Sequence, residues 1–187
     1  MTSFTAANSV PGELEAVDAR AALAHRFDRI LAENRSALAR VAGSYTDSAS
    51  DRDDLLQDIA MSIWQALPGF RGECAERTFV FRVAHNRAIT YLTRNRSRLT
   101  VAEEDLEVPD TGLNPEAALV REERGNRLAR AIRVLPIPYR QVVMLTLEEL
   151  EYNEIALVLG ISESNVGARL SRARQMLRKI MEGRSTK

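Results

Sequence analysis

The stretch SNVGARLSRARQMLRK, from Ser164 to Lys179, places hydroxyls, an amide and arginines on a helical repeat. Such groups make hydrogen bonds rather than break covalent bonds. Arginine donates in a fixed fork that fits guanine edges and phosphates, and asparagine offers a donor and an acceptor on one amide. With Val166, Leu170, Ala173 and Leu177 turned inward, Ser164, Ala168 and Ser171 face outward. Arg172 and Arg174 then flank that face on opposite sides. Small residues at its centre allow close approach, and the arginines can meet bases or phosphates. The plainer alternative is a solvated helical hairpin, because arginine is a good helix former.

The residues just before this helix must hold it in place. Ile155, Ala156 and Leu159 form a short apolar face, and Gly160 suits the left-handed residue that ends a helix. Ile161 turns inward and Ser162 is a good N-cap. The layout is that of a helix-turn-helix. The whole chain has 26 basic and 26 acidic residues, a balance that by itself argues against nucleic-acid binding. The charge is unevenly spread, however. From Glu163 to Lys187 there are seven Lys and Arg against Glu163 and Glu182 alone.

Other chemistries find little support. The one cysteine, Cys74, rules out an internal disulfide framework and a cysteine zinc cluster. His25 and His85 stand far apart without ligand-like neighbours, and His85 reads as a polar neighbour of Asn86. No catalytic set, metal site or cofactor motif is expected. No signal peptide is visible and no apolar run approaches a bilayer's thickness, so a cytoplasmic location without membrane insertion is expected.

The 187 residues suffice for one ordinary domain or two small ones. Strand signals are nearly absent and helical periodicity is widespread, which predicts an all-α protein. Residues 1–19 read as a tail, although a helical pattern begins near Glu13 and runs to Tyr45, with Leu23, Phe27, Ile30, Leu31, Leu38 and Val41 inward. Ser50 or Asp51 is expected to cap a helix through Leu55, Leu56, Ile59, Ile63, Trp64 and Leu67, which Pro68-Gly69 stops. After a loop, a helix from about Thr78 to Arg98 turns Phe79, Val83, Ala88 and Leu92 inward. These elements make a domain over 20–98. Residues 99–116 carry six acids and no Lys or Arg from Val101 onward, with Pro109, Gly112 and Pro115, and predict a flexible acidic linker. A second helical domain over 117–187 ends in the helix-turn-helix.

Two long stretches carry a family resemblance. LPIPYRQVVMLTLEELEYNEIALVLGISESNVGARLSRARQMLRK resembles the promoter-reading domain of bacterial sigma factors. DRDDLLQDIAMSIWQALPGFRGECAERTFVFRVAHNRAITYLTRNRSR resembles their promoter-melting domain. Their order, with only a short linker between, is that of the extracytoplasmic function (ECF) sigma factors. The resemblance covers roughly Phe27 to Lys179. It implies a protein that is not an enzyme but binds core RNA polymerase, directs it to promoter DNA and helps open the duplex.

Residue roles follow from the same resemblance. Asp54, Leu55, Gln57 and Asp58 match the helix that docks on the polymerase's largest subunit; Asp58 stands where glutamate is commoner. Gly72, Glu73, Cys74, Ala75, Glu76 and Arg77 match the loop that receives a base flipped from the −10 element. Asn86 matches the asparagine that helps recognise that base, and Arg87 belongs with Arg82, Arg94, Arg96 and Arg98 to a basic surface for phosphates. Phe79 replaces a common tryptophan and, lying on the inward stripe, reads as core, as does Trp64. Arg172 matches the principal −35 contact, with Ser164, Asn165, Ala168, Arg169, Ser171 and Arg174 around it. Gly167 departs from the family's frequent lysine or arginine. Many relatives are held by an anti-sigma factor, which makes one a candidate partner. Outside this class, a dimeric helix-turn-helix regulator lacks an obvious dimerisation helix here, and a recombinase would need strand patterns that are missing.

Overall fold

The structure, a computed structural model, describes residues 11–99 and 116–182, with side chains over 18–94 and 125–182. Seven α-helices occupy the described residues: α1 Pro11–Tyr45, α2 Ala49–Ala66, α3 Glu76–Leu99, α4 Glu116–Val134, α5 Ile137–Leu147, α6 Tyr152–Leu159 and α7 Glu163–Glu182. No strand occurs among them, as the periodicity predicts. The central part of the acidic segment, 101–115, and the first ten residues lie outside the described part.

The N-terminal three helices pack around one apolar seam. Ile30, Leu38 and Val41 of α1 are buried with Leu55, Ile59 and Ile63 of α2 and Phe79, Val80, Ala84 and Ala88 of α3. Leu23, Phe27, Leu31, Val83 and Leu92, all expected inward, are half-buried at its edges. Trp64 meets Phe27 edge-on at 5.1 Å, and Phe79 stacks on Phe70 at 4.4 Å. Both aromatics are therefore packing residues. Burying each such ring stabilises the fold by about 1.5–3 kcal/mol.

Two local details differ from expectation. The cap of α2 is Ser48, not Ser50 or Asp51: its Oγ accepts the Asp51 N–H at 3.0 Å and donates to the Asp51 carboxylate at 2.7 Å. The helix begins two residues earlier because Ser48 has the extended backbone that a cap needs. Helix α1 is already formed at Pro11, the first described residue, inside the expected tail.

In the C-terminal half, Val142, Leu145, Ile155, Val158, Val166, Leu170 and Ala173 are buried together. Gly160 ends α6 at φ 64°, and the Ile161 N–H returns to the Ala156 carbonyl at 3.1 Å. Ser162 Oγ accepts the Asn165 N–H at 3.3 Å and starts α7. The helix-turn-helix is thus built by the residues that its sequence layout indicates.

The two halves pack on each other. Helix α6 packs against α3, and α4 against α1. The turn between α5 and α6 enters the seam between α1 and α3. There Glu148 is only 3% exposed and its carboxylate accepts both Nε and Nη2 of Arg40, at 2.6 and 2.7 Å. The next residue, Glu149, has φ 62°, the left-handed conformation that an L side chain adopts only under surrounding constraint. Tyr45, His85 and Phe81 are also buried, which places apolar surface on a second side of α3.

Candidate nucleic-acid interface

Helix α7 carries the expected −35 residues on one face. Ser164, Asn165, Ala168, Ser171, Arg172 and Arg174 are exposed, and Arg169 is half-buried. At about 100° per residue, Ser164, Ala168 and Ser171 form one row, and Gln175 extends it on the same exposed line. Gln175 was legible from this periodicity but is absent from the expected set. Arg169 Nε donates to the Asn165 side-chain carbonyl at 3.1 Å, so each orients the other. Among the described residues no hydrogen bond or ion pair holds the side chains of Arg172, Arg174 or Arg178. Gly167 sits at the flank: a Cβ there would meet the Tyr152 ring at 3.6 Å, ordinary contact. The missing side chain therefore leaves α6 and α7 undisturbed.

The loop before α3 is fastened where it joins that helix. Gly72 takes φ 79°, which explains glycine at this turn. Glu73 and Ala75 are exposed, whereas Cys74 packs half-buried against the core. Glu76 fastens the loop to α1 through Arg26 Nε and Arg29 Nη2, both at 2.8 Å. Partial burial pushes the Glu76 carboxyl up, but the two guanidiniums outweigh it and hold it below the usual range. Arg77 Nη2 donates to the Glu148 carbonyl at 2.6 Å, and its guanidinium lies over the Phe81 ring. Both side chains are thus engaged within the protein. Asn86 is exposed, about 15 Å along the α3 axis from Glu76.

The helix α2 surface needs one correction. Leu55 is fully buried in the seam, so it cannot touch a polymerase while α2 is folded. Asp54 and Gln57 are exposed. Asp58 is half-buried and accepts Arg87 Nη2 at 2.6 Å, joining two residues that were assigned to different partners. Met61, 61% exposed, lies one turn beyond Gln57 on the same stripe and was not expected there. An exposed methionine beside acids is the signal that would have found it.

His85 is fully buried, with Nδ1 3.1 Å from the Tyr45 hydroxyl and Nε2 without a partner. Burial pushes its pKa down to about 4, so it is neutral at pH 7. Burial likewise raises the Tyr45 phenol. Among the described residues no cluster of His, Cys, Asp or Glu is arranged to hold a metal ion, and no helix is long and apolar enough to cross a membrane.

This geometry, a three-helix body followed by a helix-turn-helix, is matched by two family descriptions in the same order. Sigma-70 region 2 matches residues 30–98, and sigma-70 region 4 matches residues 125–177. The chain is 31% identical over 170 residues to the RNA polymerase sigma factor CnrH of Cupriavidus metallidurans, covering 86% of this chain and 89% of CnrH. It is 29% identical over 161 residues to the ECF RNA polymerase sigma-E factor of Escherichia coli K12, covering 81% and 84%. The solved structure of CnrH in complex with the cytosolic domain of CnrY superimposes with a TM-score of 0.61 at 26% identity, covering 84% of this chain and 88% of that one. The chain belongs to the ECF RNA polymerase sigma factors. It is a transcription initiation factor, and the regulator and recombinase alternatives gain no support.

Proposed function

We propose that this sigma factor docks on core RNA polymerase through the Asp54–Gln57–Met61 face of α2, reads the −35 element with α7, and melts the −10 element at α3. The exposed row of α7, with Arg172 and Arg174 unengaged by protein, carries the reading. Arg172 supplies a bidentate contact to a guanine, and Ser171 and Ala168 permit close approach. Asn86 pairs with a base extracted from the stack, within a surface that Arg82 and Arg87 make basic. Extraction costs a few kcal/mol, which polymerase binding and base contacts must offset. The sigma factor performs no covalent chemistry; the polymerase does. Its place of action is the cytoplasm, where the polymerase works. The solved complex of the relative CnrH with the cytosolic domain of CnrY supports a further protein partner that binds the sigma factor directly, for which a cognate anti-sigma factor is the candidate.

The test is run-off transcription with reconstituted core polymerase on genomic fragments. Transcripts should start downstream of paired −35 and −10 elements only when the protein is present. Asn86→Ala should still form closed complexes but lose permanganate-reactive thymines. No sigma-dependent transcript from any fragment would overturn the reading.

A further inference from the structure

Two arginines of α1 hold the loop before α3 across a long sequence separation. Arg26 Nε donates to Glu76 Oε1 and Arg29 Nη2 donates to Glu76 Oε2, each at 2.8 Å, from 50 and 47 positions away. Each oxygen of one carboxylate therefore has its own charge-assisted bond. The arginines stand three residues apart and so share a side of α1. Arg29 Nη1 also donates to Glu33 Oε2 at 3.2 Å, one turn along α1, which fixes the direction from which it approaches. Arg26 makes a second contact. Its guanidinium carbon lies 5.4 Å from the centre of the Phe70 ring, and Phe70 stacks on Phe79 at 4.4 Å. Phe70 precedes the loop and Glu76 begins α3, so one side chain touches the residues on either side of 71–75.

These bonds contribute little to overall stability. The side chains of Arg26, Arg29 and Glu76 are 36%, 46% and 25% exposed, so water screens them. Phe70, Cys74 and Phe79 already pack against the core without them. What the arginines restrict is the open part of the loop. Arg71, Gly72, Glu73 and Ala75 are exposed, and a Cβ on Gly72 would meet nothing within 4 Å. A segment with so few contacts keeps one shape only when its ends are fixed. A base leaves its stack at a cost, so the site that receives it must already have its binding shape. Molecules whose loop has another shape weaken capture in proportion to their number. Both arginines precede residues 30–98, the stretch that sigma-70 region 2 matches, so that likeness gives them no role.

On the reading of residues 72–77 as the base-receiving loop, on which this role rests, we propose that Arg26 and Arg29 are positioning residues for −10 capture. Arg29 acts through Glu76, and Arg26 through both Glu76 and Phe70, to hold 71–75 in the shape that receives the base. Neither arginine touches the DNA in this role. Losing one bond should weaken capture by up to about fivefold, and losing both by at most the product.

The experiment uses reconstituted holoenzyme and single-stranded oligonucleotides carrying the −10 element of a promoter found by run-off transcription. Each oligonucleotide is intact or abasic at one position. The wild type should lose most affinity at one position, that of the captured base. Arg26→Gln, Arg29→Gln and the double variant should bind the intact strand more weakly, yet match the wild type on the strand abasic at that position. Glu76→Ala should show the same pattern, and adding Arg29→Gln to it should cost little more. Arg29→Lys, which keeps the charge, should recover part of the loss. Core polymerase affinity and the unfolding midpoint should stay near wild type. Arg29, the more exposed of the two, carries the test should Arg26→Gln prove misfolded by circular dichroism. Unchanged binding by the folded double variant would overturn the positioning role. Equal losses on intact and abasic strands, with a smaller salt slope, would also overturn it and make the arginines phosphate contacts. Additive losses from Glu76→Ala and Arg29→Gln would likewise put Arg29 on the DNA instead of behind the loop. A wild-type holoenzyme indifferent to every abasic position would refute base capture, and the positioning role with it. Discrimination kept by the wild type and by every variant would refute the positioning role alone.

Discussion

The arginines of the two halves are used differently. In the N-terminal half Arg26, Arg29, Arg40, Arg77 and Arg87 each bond to a carboxylate or carbonyl of the protein. On α7, Arg172, Arg174 and Arg178 have no such partner among the described residues. An engaged guanidinium holds a fold together and must give up a partner before it meets DNA. An unengaged one can bind a base without that loss. On the proposed −35 surface Arg172 and Arg174 therefore have no protein bond to give up, whereas on the proposed −10 surface Arg77 and Arg87 each have one.

The largest expected effect tests whether α2 residues divide between core and surface as the burial indicates. Leu55→Ala should destabilise the protein by about 2–5 kcal/mol, the cost of a cavity in a packed seam. Denaturant unfolding measures this, and polymerase affinity at a temperature where the variant is folded should change little. Asp54→Lys should do the reverse, weakening polymerase binding while leaving the unfolding midpoint nearly unchanged. A stable Leu55→Ala variant that fails to bind polymerase would return Leu55 to the contact surface.

A second interior group gives a pH test. His85 has its folded pKa pushed down to about 4 by burial, against 6.5 as its ordinary value. As pH falls below 6.5 the unfolded chain takes up a proton that the folded chain refuses, so stability falls until about pH 4. Above 6.5 both states are neutral and the group contributes no pH dependence. The full difference corresponds to roughly 3 kcal/mol. The Tyr45 hydroxyl faces it at 3.1 Å, and the Arg140 guanidinium lies over the same Tyr45 ring. Unfolding midpoints across pH 4–7 for the wild type and His85→Gln should diverge over that window, and parallel curves would show that His85 is reached by protons in the native state.

On α7 the expected magnitude is smaller and of a different kind. Arg172→Ala should leave stability unchanged, because nothing in the described protein depends on its side chain. It should lose about 1–3 kcal/mol of preference for the cognate −35 element over a scrambled one. Arg178→Ala should weaken both sequences alike and reduce the salt slope by about one. Holoenzyme binding to both DNAs across a salt series decides between them. Equal losses on both DNAs for Arg172→Ala would make it a phosphate contact and pass the discrimination to Ser171, Asn165 or DNA shape.

The same contrast explains what was legible in the sequence. The α7 face is legible because one helix side is apolar and the other meets only water, so a 3.6 period sorts every residue. Phe79 as core and Gly160 as a left-handed stop follow from equally local rules. Helix α3 defeats that sorting. It is covered on one side by α1 and α2 and on another by α6, so Val80, Phe81 and His85 are buried off the expected stripe. Glu148 is less legible still. A glutamate in the run Leu147-Glu148-Glu149-Leu150 reads as surface charge, and only the remote Arg40, 108 positions away, makes its burial tolerable. Ser48 is hard to single out for a local reason. Three candidate caps stand within four residues, and the backbone angle that selects among them is set by how α1 ends.

The smallest expected effect sharpens the contrast at the point where two proposed roles meet. Asp58 and Arg87 are bonded at 2.6 Å, but their side chains remain 42% and 25% exposed. Water therefore screens the pair, and its coupling in a double-mutant cycle of Asp58→Asn and Arg87→Gln should be about 0.2–1 kcal/mol. Stability alone gives little reason for this pairing, which makes its influence on the two binding surfaces the informative measurement. If Asp58 meets the polymerase directly, Arg87→Gln frees a carboxylate and should hold or raise polymerase affinity, whereas Asp58→Asn should lower it. If instead the pair holds α2 and α3 in register, both variants should lower affinity alike, and the double variant should be no worse than either. Polymerase titrations of the three variants separate these outcomes. Equal loss would remove Asp58 from the contact face and leave Asp54, Gln57 and Met61 to form it. Opposite effects would mean that Arg87 must release Asp58 when polymerase binds, leaving an arginine of α3 available to promoter phosphates in the same step.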